Sequence, residues 1–425
     1  NALGKLPGVR VIAWQSAAVY RGRKITVPDV GRALNVANVL VGSIMRDGER
    51  VRISAELVSA VTGYQLWSSH YDRTFKDVFA IQDDISKAIV SALQLQLAGN
   101  GPLVAAATTN PGAHDFYLKG LAASNARTAA SLDEATSDFQ RAIRLDPRYA
   151  EAYAALAWAY AIRNEYSNVP LAKSMPIAKR AAKQALRLNP NLAAAHVALG
   201  YIYMSEQNPR RAEKELRRAL KLNPNDAEAH IVYGVLLPAN RQQDQLAQYQ
   251  QAAVLDPNSA LAHYNLAVTY EDMGDYTNAI TEYQATVGLA PQLTFARLDL
   301  ASLYHNNADD RSAIAILSGV HIDDPQQAKL ANAARLVYTA QQHPDLRDQA
   351  LATLQHMDVV NMSASDKEAL VILYAVLGQK DYAVQLLSQA CATAPETCGQ
   401  LAAEFKVLEG EPRFQKLVEK YSPKK

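Results

Sequence analysis

Cysteine is nearly absent from these 425 residues: there are two, Cys391 and Cys398, in "ACATAPETCGQ". With no histidine nearby they cannot complete a zinc site. A short-loop disulfide in an oxidising compartment and a pair of buried or free thiols both stay open. Aromatics make up only 7%, mostly tyrosine. No apolar run approaches the roughly 18 residues that a spanning helix needs, so no membrane span is expected in this chain. A net charge of +1 offers no field for nucleic acid or an anionic membrane surface. The P-loop, GxGxxG, HExxH and GxSxG patterns are all missing, so neither a cofactor, a metal nor catalysis is expected. Nothing reads as a signal peptide, and the chain opens at Asn1 without methionine, as a processed product or a fragment would.

What is present is a recurring phrase. "RAIRLDP", "KQALRLNP", "RRALKLNP", "QQAAVLDP", "TVGLAP" and "GVHIDDP" end at Pro147, Pro190, Pro224, Pro257, Pro291 and Pro325. Their spacings of 43, 34, 33, 34 and 34 residues point to a repeat array. Each proline is read as sitting just past a helix that it cannot continue. Between prolines the pattern is a helix pair. Residues 193–224 carry Leu199, Gly200 and Tyr203 on the first helix and Ala212, Leu216 and Ala219 on the second. Small residues let two helices approach closely, and large ones fill what remains. The same places return as Leu266, Ala267, Tyr270, Ala279 and Tyr283, then as Leu300, Ala301, Tyr304, Ala313 and Leu317. These offsets resemble the tetratricopeptide repeat (TPR). About eight pairs fit over residues 113–395, with a slightly lengthened turn in the first and a nine-residue insertion around "RNEYSNVPL" in the second, and capping helices with a tail follow over 396–425.

The first hundred residues have another texture. "VRVIAW" (9–14) reads as a short buried strand, and "VPDVGRALN" as a helix start. "VLVGSIMRDGERVRISAELVSAVTGYQLWSSHYDR" reads as three antiparallel strands turning at Asp47-Gly48 and Thr62-Gly63. "DVFAIQDDISKAIVSALQLQLAG" follows as a helix with Ile81, Ile85, Ile89 and Leu93 on one face. These words, over about residues 3–97, resemble the TolB-like (FlgO-like) amino-terminal domain of bacterial signalling proteins. In that family the domain commonly precedes TPRs beside an adenylate cyclase, a CadC-type regulator or a serine/threonine kinase. No effector domain accompanies it here, and the family's first "VLPF"-type strand would lie upstream of Asn1.

The expected fold is therefore mainly α: a right-handed TPR superhelix preceded by a small α/β domain with a mostly antiparallel sheet. The domains run 1–100, a linker over 101–112, the repeats over 113–395, and the cap over 396–425. The resemblance implies a non-catalytic protein–protein interaction scaffold, placed in the periplasm or otherwise outside the cytoplasm, the cytoplasm being the alternative. A self-associating structural subunit, such as a filament, is the second reading.

By the same resemblance, a TPR groove is lined by Ala154, Trp158, Val197, Tyr201, Met204, Ile231, Val235, Leu261, Tyr264, Phe295 and Leu298. Tails held by a carboxylate clamp need lysine and asparagine where Ala154, Trp158, Val197 and Tyr201 stand. An apolar, aromatic groove suits a protein or peptide with an apolar or aromatic segment. His196, His230 and His263 occupy one place in successive helices. Helix axes 8–10 Å apart spread such a ladder too widely for a metal whose ligands sit about 2 Å away, so packing is expected. Charge is segregated: residues 173–221 hold eleven Lys/Arg and three Glu, and residues 226–324 hold three Arg and thirteen Asp/Glu. Solvated faces account for most such runs, and head-to-tail association of copies is the sharper reading.

Overall fold

The structure is a computed structural model that describes residues 3, 9–47, 50–74, 78–93, 107–166, 169–319, 322, 324–359, 362, 364–393 and 405–421. It divides into two compact units, Asn1–Ser259 and Ala260–Lys425.

The first unit begins with two short helices, α1 (Trp14–Ala18) and α2 (Val27–Ala33). Strands β1 (Asn38–Asp47), β2 (Arg50–Ser59) and β3 (Gln65–Thr74) follow, then α3 (Val78–Ala92). The strands form an antiparallel meander in the order β1-β2-β3. Leu40 faces Leu57 and Ile44 faces Ile53. Gly63, at φ +73°, makes the second turn, where its N–H donates to the Ser59 carbonyl. Gly48 of the first turn lies outside the described residues. Val51, Ala55 and Leu57 alternate onto one buried face, and Ile81, Ile89 and Val90 of α3 are buried with them. The edge strand β1 leaves Leu40, Val41, Ile44 and Met45 exposed.

Val9–Ala13 form no strand, and Trp14 opens α1 with its ring exposed. A short apolar run carries no record of what pairs with it, and here it is drawn out along the repeat loops of its own unit. Asn225 Nδ2 donates to the Val9 carbonyl (3.0 Å), and Ala13 N–H donates to the Leu255 carbonyl (2.6 Å). Ser16, fully buried, donates to Asp256 and accepts from Asn258 N–H (2.8 Å), while Asn258 Nδ2 reaches the Ser16 carbonyl (3.2 Å).

Four helix pairs complete this unit: α4 (Pro111–Ser124) with α5 (Ala129–Leu145), α6 (Ala150–Tyr166) with α7 (Leu171–Leu188), α8 (Ala193–Ser205) with α9 (Pro209–Leu222), and α10 (Ala227–Leu236) with α11 (Gln242–Leu255). The second unit holds α12 (Ala260–Asp272) with α13 (Tyr276–Leu289), α14 (Thr294–Asn306) with α15 (Asp310–Leu317), α16 (Pro325–Gln342) with α17 (Arg347–Gln355), and α18 (Ala364–Val376) with α19 (Lys380–Thr393). Helix α20 (Pro412–Tyr421) closes it.

The recurring phrase acts as a stop for a stated reason. A proline ring excludes its predecessor from the helical region. Asp146 and Asn189 accordingly sit at φ −141°, ψ 96°, and Asn223 at φ −142°, ψ 92°. Their side chains then accept the N–H two residues on, at Arg148 (2.9 Å), Asn191 (3.1 Å) and Asn225 (3.2 Å), closing an Asx turn. Pro325 departs from the stop role. It is the first residue of α16, where a missing N–H costs nothing, and Asp324 caps that helix by accepting from Gln326 N–H and Gln327 N–H.

Within pairs, the small residues are where the helices touch. A Cβ on Gly200 would stand 2.5 Å from Leu216 Cγ, and one on Gly234 would stand 2.4 Å from Tyr249 Cε1. In the second unit Ala267 and Ala301 take the corresponding places and are fully buried. Burial of a side chain such as Leu216 contributes about 1.5–3 kcal/mol, available only because its neighbour has no side chain.

Candidate functional site

The histidine ladder resolves into a packing device. His196 sets Nε2 3.1 Å from the Pro190 carbonyl and Nδ1 2.6 Å from Glu215 Oε2. His230 does the same with the Pro224 carbonyl (3.1 Å) and Gln248 Oε1 (2.8 Å). His263 Nδ1 lies 2.6 Å from Glu282 Oε2. At the next equivalent place Arg297 substitutes, donating to the carbonyls of Pro291 and Ile316, both at 3.1 Å. Each of these side chains ties its helix to the preceding stop loop, its partner helix, or both.

The groove residues fall into three groups. Val197, Ile231 and Leu298 are buried in helix packing, as is Ala154; Val235 is exposed; Trp158, Tyr201, Met204, Leu261, Tyr264 and Phe295 are partly buried. In the first unit the structure brings Trp158 and Tyr201 together edge to face, with centroids 5.5 Å apart. Met204 packs on the same cluster. In the second unit Tyr264 meets Phe295 edge to face at 4.8 Å and Tyr283 at 5.9 Å. Such pairs hold large rings in fixed poses.

Around the Trp158–Tyr201 pair the first unit carries a polar network that spacing arguments could not find. The Tyr201 hydroxyl donates to Glu165. Arg127, between α4 and α5 at φ +48°, ion-pairs with Glu228 at the start of α10 and lies 3.5 Å from the Tyr166 hydroxyl. Glu228 holds the Arg127 guanidinium firmly in its charged form. Burial pushes the Glu165 carboxyl upward, opposed by the Tyr201 hydrogen bond and the Arg127 charge. Each carboxylate of this network has a cation in reach.

The second unit has the aromatic shelf without the cation. The Tyr264 hydroxyl donates to Asp299 Oδ2 (2.9 Å), and the Tyr283 hydroxyl to Glu271 Oε2 (2.9 Å). Burial, with Glu271 and Glu368 nearby, pushes the Asp299 carboxyl up to about 7 against the Tyr264 hydrogen bond. Burial also raises Glu368. Among the described residues no lysine or arginine pairs with Asp299 or Glu368. Leu298, Asp299, Ser302, Tyr338, Ala369, Ile372 and Leu373 line a small recess here, with room for about one water. No set of three His, Cys, Asp or Glu side chains suited to a metal exists among the described residues. The arrangement can therefore present rings and carboxylates to a partner.

Cys391 is buried and disulfide-bonded; Cys398 lies outside the described residues. No helix among the described residues is long and apolar enough to cross a membrane.

Comparison with known proteins follows the same lines. Residues 178–235 and 262–297 match tetratricopeptide repeat models, and residues 246–274 match a TPR repeat model. A putative adenylate cyclase 3 of Rhizobium meliloti (strain 1021) is 34% identical over 157 residues, which are 36% of this chain and 27% of that protein. The matched stretch thus spans little more than a quarter of that relative. A monomeric IFIT1 mutant with Gppp-AAAA shares the fold, with a TM-score of 0.52 at 14% identity, over 80% of this chain and 76% of that one. Pseudomonas aeruginosa pilF matches with a TM-score of 0.38 at 19% identity, over 65% of this chain and 98% of that one. The stop prolines, the close helix contacts and the family models agree that this chain carries tetratricopeptide repeats.

Proposed function

We propose that this chain is the partner-binding part of a bacterial signalling protein, without catalysis of its own. In this reading a TolB-like sheet domain precedes repeats that hold an apolar or aromatic segment of a protein partner. The observation that carries it is the pair of partly exposed aromatic clusters, Trp158–Tyr201 and Tyr264–Phe295, each built across consecutive repeats. Interaction scaffolds act through such surfaces, and rigid rings are the usual anchors. Similarity to a putative adenylate cyclase supports the signalling setting. The disulfide at Cys391 supports a site outside the cytoplasm.

Peptide display against the whole chain tests this directly. Selected peptides should be rich in aromatic and aliphatic residues, and Trp158→Ala or Phe295→Ala should weaken them at least about tenfold. Selection that enriches nothing, or peptides indifferent to both variants, would overturn it. Thiol labelling of unreduced, unfolded protein tests the location, and two reactive thiols would argue for the cytoplasm.

The exposed edge of β1 favours a second reading, a self-associating subunit. Ile44 and Met45 stand 72% and 64% exposed on an unpaired strand edge, and open edges recruit strands. Light scattering should then show growth that Ile44→Lys abolishes; a particle that stays monomeric at high concentration and low salt excludes it.

A further inference from the structure

We propose that the ion pair between Arg127 and Glu228 is a clasp across the inner face of the first unit, and that opening it admits a partner to the Trp158–Tyr201 rings. This rests on the scaffold reading and adds a control on one of its two aromatic sites. Four observations carry it.

The first is the route of the contact. Packing runs from each helix pair to the next, α5 on α6, α7 on α8 and α9 on α10. Arg127 belongs to the turn of the first pair, whereas Glu228 lies in the first turn of α10, which opens the fourth. The bond thus skips two pairs, as a strap across a curved array does.

The second is the face it crosses. Trp158 and Glu165 lie two turns apart on one side of α6, and Glu228, Ile231 and Val235 share one side of α10. Tyr201 of α8 joins them, its ring edge to face on Trp158 and its hydroxyl on Glu165. Arg127 lies 3.5 Å from the hydroxyl of Tyr166, the neighbour of Glu165 in the chain. The guanidinium is thereby set beside the carboxylate that holds the Tyr201 hydroxyl, at one end of the ring pair.

The third is the backbone behind the clasp. Thr128 and Ser131 close a capping box that fixes the start of α5. Arg127 itself sits at φ +48°, a conformation that a non-glycine residue adopts where its contacts favour it. The turn aims the arm, and only the side-chain contact has to break for the arm to swing clear. The fourth is that the clasp can open. The two side chains remain 29% and 26% exposed, so water and salt reach the pair. With the guanidinium gone, Glu165 and Glu228 lie in each other's field, and their repulsion favours the open form.

The test is acrylamide quenching of Trp158 in the full chain, with Trp14→Phe and Trp67→Phe removing the other tryptophans. Raising sodium chloride from about 0.02 M to about 0.5 M should increase the quenching constant about twofold with Arg127 and Glu228 intact. Arg127→Gln should give the same increase at low salt and abolish the response to salt. Arg127→Glu combined with Glu228→Arg rebuilds the pair in reverse and should restore the parent value. Lys179→Gln breaks an ion pair with Glu206 that joins the second helix pair to the third, and it should change nothing. A labelled peptide of leucine, phenylalanine and serine should bind Arg127→Gln about threefold more tightly than the parent. Quenching that ignores both salt and Arg127→Gln, or that rises equally in Lys179→Gln, overturns the clasp and leaves the scaffold reading to display selection. Raised quenching with no gain in peptide binding overturns the control of the site.

Discussion

Two clusters of this chain, one in each compact unit, solve the same electrostatic problem differently. On the first, Glu165 and Glu228 are drawn into a partly buried network with Tyr166, Tyr201 and the guanidinium of Arg127. On the second, the partly buried Asp299 accepts from the Tyr264 hydroxyl, and no cation pairs with it among the described residues. A buried carboxylate without a cation is costly, and that cost persists in a fold only where something else supports it. The contrast teaches that one cluster is neutralised by a guanidinium from a distant loop, whereas the other holds its carboxyl through a tyrosine hydroxyl.

The comparison can be broken most forcefully at Arg127. Arg127→Ala should destabilise the first unit by about 2–3 kcal/mol, because Glu228 loses the guanidinium that pairs with it in a partly buried setting. Hydrogen exchange should quicken around residues 150–236 and stay unchanged beyond residue 260. An unaltered exchange map would mean that the ion pair is ornamental.

Asp299→Asn should do the reverse and stabilise the second unit. The folded carboxyl, raised from 3.8 to about 7, favours folding fully below the unfolded value and loses that advantage as pH rises through about 7. The asparagine variant should match the parent near pH 4 and exceed it by about 2 kcal/mol at pH 8. Urea unfolding at the two pH values reads this out, and a gap that does not widen with pH would deny that Asp299 is unpaired.

Ser16→Ala offers the smallest effect and sharpens the contrast between units. It removes the Ser16 hydroxyl from Asp256 and from the Asn258 N–H, a loss of about 1–2 kcal/mol. Faster exchange should be confined to residues 225–226 and 256–258, with the second unit unmoved.

Much of the fold was legible. The stop phrase works through three bonded neighbours, helix end, Asx residue and proline, so its meaning is local. The small–large pattern was equally readable, because Gly200 and Leu216 lie sixteen residues apart in one hairpin of helices. Pro325 was misread because a proline after a helix and a proline opening the next one look alike until the intervening loop has a length. The strand expected at residues 9–14 failed for a different reason: its apolar residues announce burial but not the surface that buries them. Asn225 and Asn258 had a signal, an asparagine recurring just after the stop proline, as at Asn191. By itself such an asparagine points only to turn chemistry.

The sequence by itself determined the repeating unit, its stops, the close approach of its helices and the places of its large rings. Those follow from backbone restriction and side-chain volume over a few turns of chain. Only the tertiary structure decided which rings stay accessible, that Arg127 meets Glu228 across 101 residues, and that no described cation pairs with Asp299. Charge pairing depends on distance in space and on the water excluded between partners. Neither is written in the spacing of residues along a chain.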